Sequence, residues 1–138
     1  MLDLEKLFAD VVDPQPGEVE TFAVDLPHDG IGDHEGWRAR RAMAARWREA
    51  MLRLAAARGF AVRPLLAYPA TGANNAELPR EGRLGDETVE LAEALAASTL
   101  VIAMTEFSAT APLGTLSEKL DDFRAASMPG VEERMEDT

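Results

Sequence analysis

The six residues Leu100-Val101-Ile102-Ala103-Met104-Thr105 constrain this chain more than any other feature. The run is too short for a core helix, and without polar alternation it has no face to give to water. It therefore predicts a strand covered on both sides. Covering both faces of a sheet takes two helical layers, joined by crossovers long enough to return each strand parallel to the last.

The remaining sequence supplies those pieces. Met1 to Asp10 is amphipathic, with Leu4, Leu7, Phe8 and Val11 on one side, and Asp13-Pro14-Gln15-Pro16-Gly17 breaks it. Val19 to Leu26 (VETFAVDL), rich in β-branched and aromatic residues and ended by Pro27, is the first strand. Trp37, Met43, Ala44, Trp47, Ala50, Met51 and Leu54 then recur at helical spacing. Asp33 and Glu35 suit the start of that helix and Arg58-Gly59 its end. Phe60 to Tyr68 is a second strand, in which Pro64 argues for an edge or a bulge. Leu84 to Glu87 lead into a helix over Val89–Ala97, and Leu100 to Thr105 is the third strand. A helix from Pro112 or Leu113 to Asp122 and a weaker strand from Phe123 to Met128 follow, and Pro69 to Thr88 is the one long loop. The expected fold is α/β: an open doubly wound, mostly parallel four-stranded sheet in the flavodoxin-like order 2-1-3-4, with helices on both faces.

With 138 residues, 46% of them hydrophobic, the chain has enough core for one domain. It has no cysteine, which excludes disulfides and thiolate zinc sites. The acid-rich start lacks the basic front of a secretory or transit peptide. The uncharged stretch from Ala94 to Thr105 is far shorter than the ~20 residues of a membrane span. A cytoplasmic location is the expectation.

The net charge of −11 is unevenly spread. Residues 34–76 hold eight bases against two acids, while the segments before and after are strongly acidic. Seven of those bases, Arg38, Arg40, Arg41, Arg46, Arg48, Arg53 and Arg58, fall in the long helix, and a solvated face beside acidic neighbours accounts for them. The arginines have neither interleaved aromatics nor a glycine-rich cradle beside them, so nucleic acid is not an expected partner.

In open α/β sheets ligands bind beyond the carboxyl ends of the strands. Three loops are expected to meet there: Asp25 to His34, Ala70 to Asn75, and Glu106 to Thr110. They supply the rim candidates Asp25, His28, Thr71, Asn74, Asn75, Glu106, Ser108 and Thr110. The first loop holds both histidines and three aspartates, but the spacing matches no compact metal motif, and Asp29 or Asp33 serves as a helix cap. No metal ligand is assigned. Asn74 and Asn75 suit either a turn or a polar ligand. Ser108 lacks the GxSxG elbow of a nucleophile. Glu106, ending an apolar strand, is the candidate for an acid whose pKa burial raises, with an arginine partner or a capping role as the alternative. Paired with His28 it would make a complete small enzyme, the weakest of three readings.

The last third, from Leu100 through Phe107-Ser108-Ala109-Thr110 to Arg124-Ala125-Ala126-Ser127-Met128-Pro129-Gly130-Val131, resembles the N-terminal domain of the thermophilic metalloaminopeptidase family, aminopeptidase T type. There an apolar strand, a Ser/Thr turn, a helix and an R-x-A-S-M-P-G-[IV] segment follow one another. Where relatives carry a His-Thr pair in the turn, this chain has Ala109-Thr110. The resemblance implies a two-domain, dimeric, cytoplasmic exopeptidase acting on peptides with two divalent metals, zinc, cobalt or manganese, whose ligands lie in a C-terminal domain. Residues 1–138 would be its N-terminal α/β domain, shaping the substrate cleft and the dimer, with no catalytic residue of their own. The other reading is a stand-alone, non-catalytic flavodoxin-like module that binds a small molecule or a partner.

Overall fold

The computed structural model describes residues 3–132. Helix α1 (Leu4–Leu7) runs directly into a π-helical turn over Phe8–Val12. Strand β1 (Val19–Leu26), helix α2 (Glu35–Arg58), β2 (Ala61–Val62), β3 (Leu66–Pro69) and the pair β4 (Glu81–Leu84) and β5 (Glu87–Glu90) follow. Helix α3 (Leu91–Ala96), β6 (Leu100–Ala103), α4 (Thr110–Lys119) and β7 (Arg124–Ser127) complete the order.

The fold is α/β, and its sheet is mixed and seven-stranded rather than four-stranded and mostly parallel. The order is β5-β4-β3-β1-β6-β7, with β2 also pairing β1. The run β3-β1-β6-β7 is parallel, whereas β4 is antiparallel to both β3 and β5. The extra strands come out of the expected loop Pro69–Thr88, where Gly85 with φ 62° joins two short polar strands. A Gly-Asp pair between strands is a hairpin signal. Gly82 lets β4 lie close to β3, since a Cβ there would stand 2.9 Å from the Ala67 carbonyl oxygen.

Pro64 splits the second strand instead of ending the sheet. Lacking an N–H, it cannot continue a ladder. β2 and β3 therefore pair β1 separately, on either side of it. α3 starts two residues later than expected because Val89 and Glu90 belong to β5, and α4 spans Thr110–Lys119 rather than Pro112 to Asp122.

Two apolar layers cover the sheet. On one face Phe22, Val24, Leu100, Ile102 and Met104 meet Met43, Trp47 and Met51 of α2. On the other Ala23, Val101 and Ala103 meet Leu91 and Leu95 of α3 and Leu113 of α4. β6, buried at all four positions, is the doubly covered strand that the run Leu100–Thr105 demands. Phe8 closes the α2 side, its ring edge-on to Trp47 at 5.6 Å. One extra residue in the π turn brings Val12 onto that side and leaves Val11, expected there, 73% exposed. Residues Met1 and Leu2 of the expected first helix lie outside the described residues.

Candidate functional site

The carboxyl ends of β1, β3 and β6 bring the three expected loops together. Asp25, last but one in β1, is fully buried and acts as their hub. Its carboxylate accepts the indole N–H of Trp37 at 3.0 Å and the backbone N–H groups of Glu106 and Phe107 at 2.8 and 3.0 Å. Three donors thus satisfy the oxygens of this buried side chain. Asp25 thereby fixes the turn after β6 to the first turn of α2.

Glu106 carries the second hub. Its Oε2 lies 2.7 Å from Nε2 of His34 and its Oε1 2.6 Å from Nη1 of Arg40. Burial alone would raise this carboxyl. The hydrogen bonds from His34 and Arg40 outweigh burial and hold it below the ordinary carboxylate value, contrary to the expected upward shift. The expected pairing with His28 is also replaced. His28 Nε2 lies 2.8 Å from the Ala70 carbonyl oxygen and its Nδ1 3.0 Å from that of Asp29, so both ring nitrogens face backbone carbonyls.

His34, not Asp29 or Asp33, caps α2, with Nδ1 accepting the Trp37 N–H at 3.2 Å. That bond assigns the ring proton to Nε2, which donates to Glu106. An imidazole used this way holds a helix to a loop and has no free lone pair for proton transfer. Asp33 instead takes the Arg41 guanidinium through both oxygens, at 3.1 and 2.8 Å, which holds its carboxyl down at about 2.

Arg40 is the residue that charge patterning missed. It is 4% exposed, and its Nε donates to the Val131 carbonyl at 2.7 Å while Nη1 holds Glu106. The signal lay in its position: Arg40 falls three residues after Trp37 and three before Met43, on the apolar stripe itself. The neighbouring arginines do serve as a polar face, as in the pairs of Arg53 with Glu5 and Arg58 with Asp13.

The second and third loops are stitched by their side chains. Asn74 Oδ1 accepts the Ser108 N–H at 2.9 Å, and Asn75 Oδ1 accepts the Ala111 N–H at 2.9 Å and the Ser108 hydroxyl at 3.3 Å. Ala109, at the cap position of α4, has no side-chain oxygen, so Asn75 caps that helix from another loop, in the left-handed conformation at φ 60°. The Ser108 hydroxyl oxygen also lies 2.9 Å from that of Thr110, and Thr71 closes its own turn on the Ala73 carbonyl at 2.8 Å. The three loops thus meet at the strand ends: Asp25 binds the Glu106 turn and Asn74 and Asn75 bind the Ser108 turn, while His28 reaches the Ala70 carbonyl and Thr71 contacts its own turn.

Searches against family models, curated proteins and solved structures return no match. The metals implied by the resemblance do not fit here either: among the described residues no group of three or more His, Asp or Glu side chains is placed to hold an ion. The arrangement is a hydrogen-bonded platform that ties the loops, the starts of α2 and α4, and the Pro129-Gly130 turn to one another.

Proposed function

We propose that this chain is the N-terminal α/β domain of a metal-dependent aminopeptidase-like hydrolase, in which it shapes the peptide cleft and the dimer while a C-terminal domain holds the metals. The observation that carries this reading is the pair of hydrogen bonds donated by buried Arg40, one to Glu106 at the strand ends and one to the carbonyl of Val131. Val131 closes the Arg124–Val131 segment, the most specific part of the resemblance. Within that segment the Met128 N–H donates to the Ala103 carbonyl, the Gly130 N–H to that of Thr105, and Gly130 takes φ 68°. The segment is therefore built to bring the chain back to the rim, where ligands of open α/β sheets bind. A domain docked there would find the platform preformed. No helix of the described residues is long and apolar enough to cross a membrane, and the reading places the protein in the cytoplasm.

The test is the length of the native product, read from the gene past codon 138 and from intact mass. A longer chain with clustered Glu, His and Asp downstream, cleaving a leucine chromogenic amide only with divalent metal, is the expected result. A stop directly after Thr138, or metal-stimulated cleavage by residues 1–138 alone, would overturn it.

A further inference from the structure

A cleft of about 420 Å3 opens between α3, α4 and the loop 75–79, beside the rim but separate from the Asp25 and Glu106 hubs. Its size falls within the ~300–1,000 Å3 of small-molecule sites. Leu91 and Leu95 of α3, both buried, form the floor, and the half-buried Leu78, Pro112 and Leu116 form the walls. Asn75, Glu77 and Thr115, whose hydroxyl donates to the Ala111 carbonyl at 3.2 Å, supply the polar groups of the lining.

The chemistry of that lining selects its occupant. Asn75 Oδ1 is committed to the start of α4, and its amide N–H is a donor that an ammonium cannot use, so selection by charge falls to Glu77. Glu77 is exposed and is the one charged side chain of the lining among the described residues. An anion would meet that carboxylate, and also the field of a chain with net charge −11, while finding no lysine or arginine in the lining. A cation with an apolar body meets the opposite: Leu91, Leu95 and Leu116 take the body, and Glu77 takes the charge.

We propose that the cleft between α3 and α4 binds a small apolar molecule bearing one ammonium group. The site uses neither the rim hubs nor any second domain, so it stands or falls independently of the hydrolase reading. For a ligand of about nine non-hydrogen atoms, contacts of this kind correspond to a Kd on the order of 1 mM.

The test is titration of the 138-residue chain with phenethylammonium, hexylammonium and hexanoate, followed through backbone amide resonances. The two ammonium probes should give saturable shifts centred on Leu91, Leu95, Thr115 and Leu116, with hexanoate giving none. Glu77→Gln, an exposed and conservative change, should weaken ammonium binding about 1.5- to fivefold, the range of an exposed charge pair. Glu77→Lys should turn the preference to hexanoate, and Ala92→Trp should abolish the shifts by filling the cleft. Equal binding of hexylammonium and hexanoate, shifts that centre elsewhere, or the absence of saturable shifts with every probe would overturn the proposal. The two Glu77 variants keep it open to refutation if Ala92→Trp fails to fold.

Discussion

Nη1 of Arg40 lies 2.6 Å from Oε1 of Glu106, and this single ion pair joins the second turn of α2 to the carboxyl end of the central strands. The guanidinium is 4% exposed and the carboxylate 25%, so the pair sits where a missing partner leaves a charge in low dielectric. Since Arg40 also holds the Val131 carbonyl, the turn at Pro129-Gly130 depends on the same side chain.

Arg40→Ala should therefore destabilise the fold by about 3 kcal/mol, the low end for breaking a buried pair. Glu106→Gln should cost less, because an amide oxygen still accepts from Arg40. The Glu106 carboxyl is held down in the folded state, so its contribution is present above its unfolded value and is lost as pH falls through the folded one. Urea unfolding of wild type and Glu106→Gln should accordingly differ at pH 7 and converge in acid.

Glu20 makes the opposite prediction. It is fully buried on β1, neither carboxyl oxygen has a hydrogen-bond partner among the described residues, and burial, reinforced by Glu18 and only partly offset by Arg124, pushes the group up to about 8 from 4.5. Between those values the folded chain keeps a proton that the unfolded chain releases. The Glu20 contribution to stability is therefore complete below pH 4.5 and falls as pH rises towards 8, with a limiting slope of about 1.4 kcal/mol per pH unit. Glu20→Gln should flatten that slope, and a pH series of thermal melts that is unchanged by the substitution would refute the assignment.

Asn75→Ala should cost about 1 kcal/mol through loss of the cap on α4, and Asn75→Asp, which keeps the accepting oxygen, should retain most of that stability. Thermal melts of the three proteins decide it. Equal losses for Ala and Asp would mean that the left-handed backbone, not the cap, sets the effect.

Two glycines should respond with opposite signs. Gly114 lies inside α4 with nothing within 4 Å of an added Cβ, so Gly114→Ala should stabilise by about 0.5–1 kcal/mol. Gly82→Ala places its Cβ 2.9 Å from the Ala67 carbonyl oxygen and 3.2 Å from Leu91 Cδ1, and should destabilise by about 1–3 kcal/mol as the β3-β4 pair is forced apart. Chemical denaturation midpoints of both variants test the pair.

Local patterns in the sequence determined the layers. The unbroken run Leu100–Thr105 required a strand buried on both faces, and the spacing from Trp37 to Leu54 required one long helix, because each pattern is a periodicity of the chain itself. The convergence of the three loops was legible for the same reason, since it follows once strands and crossovers alternate. Tertiary structure alone decided the rest. The β4-β5 hairpin stayed hidden because Glu81–Leu84 and Glu87–Glu90 lack an apolar alternation and are strands only through pairing with β3 and with each other. Arg40 reads as one more surface cation until Glu106 and Val131, 66 and 91 residues away, arrive to accept its donors. His34 displaces Asp33 as the cap because Glu106 orients its ring from across the rim while Arg41 draws Asp33 aside. These choices depend on partners distant in the chain, and their energies exist only once the sheet has closed the distance.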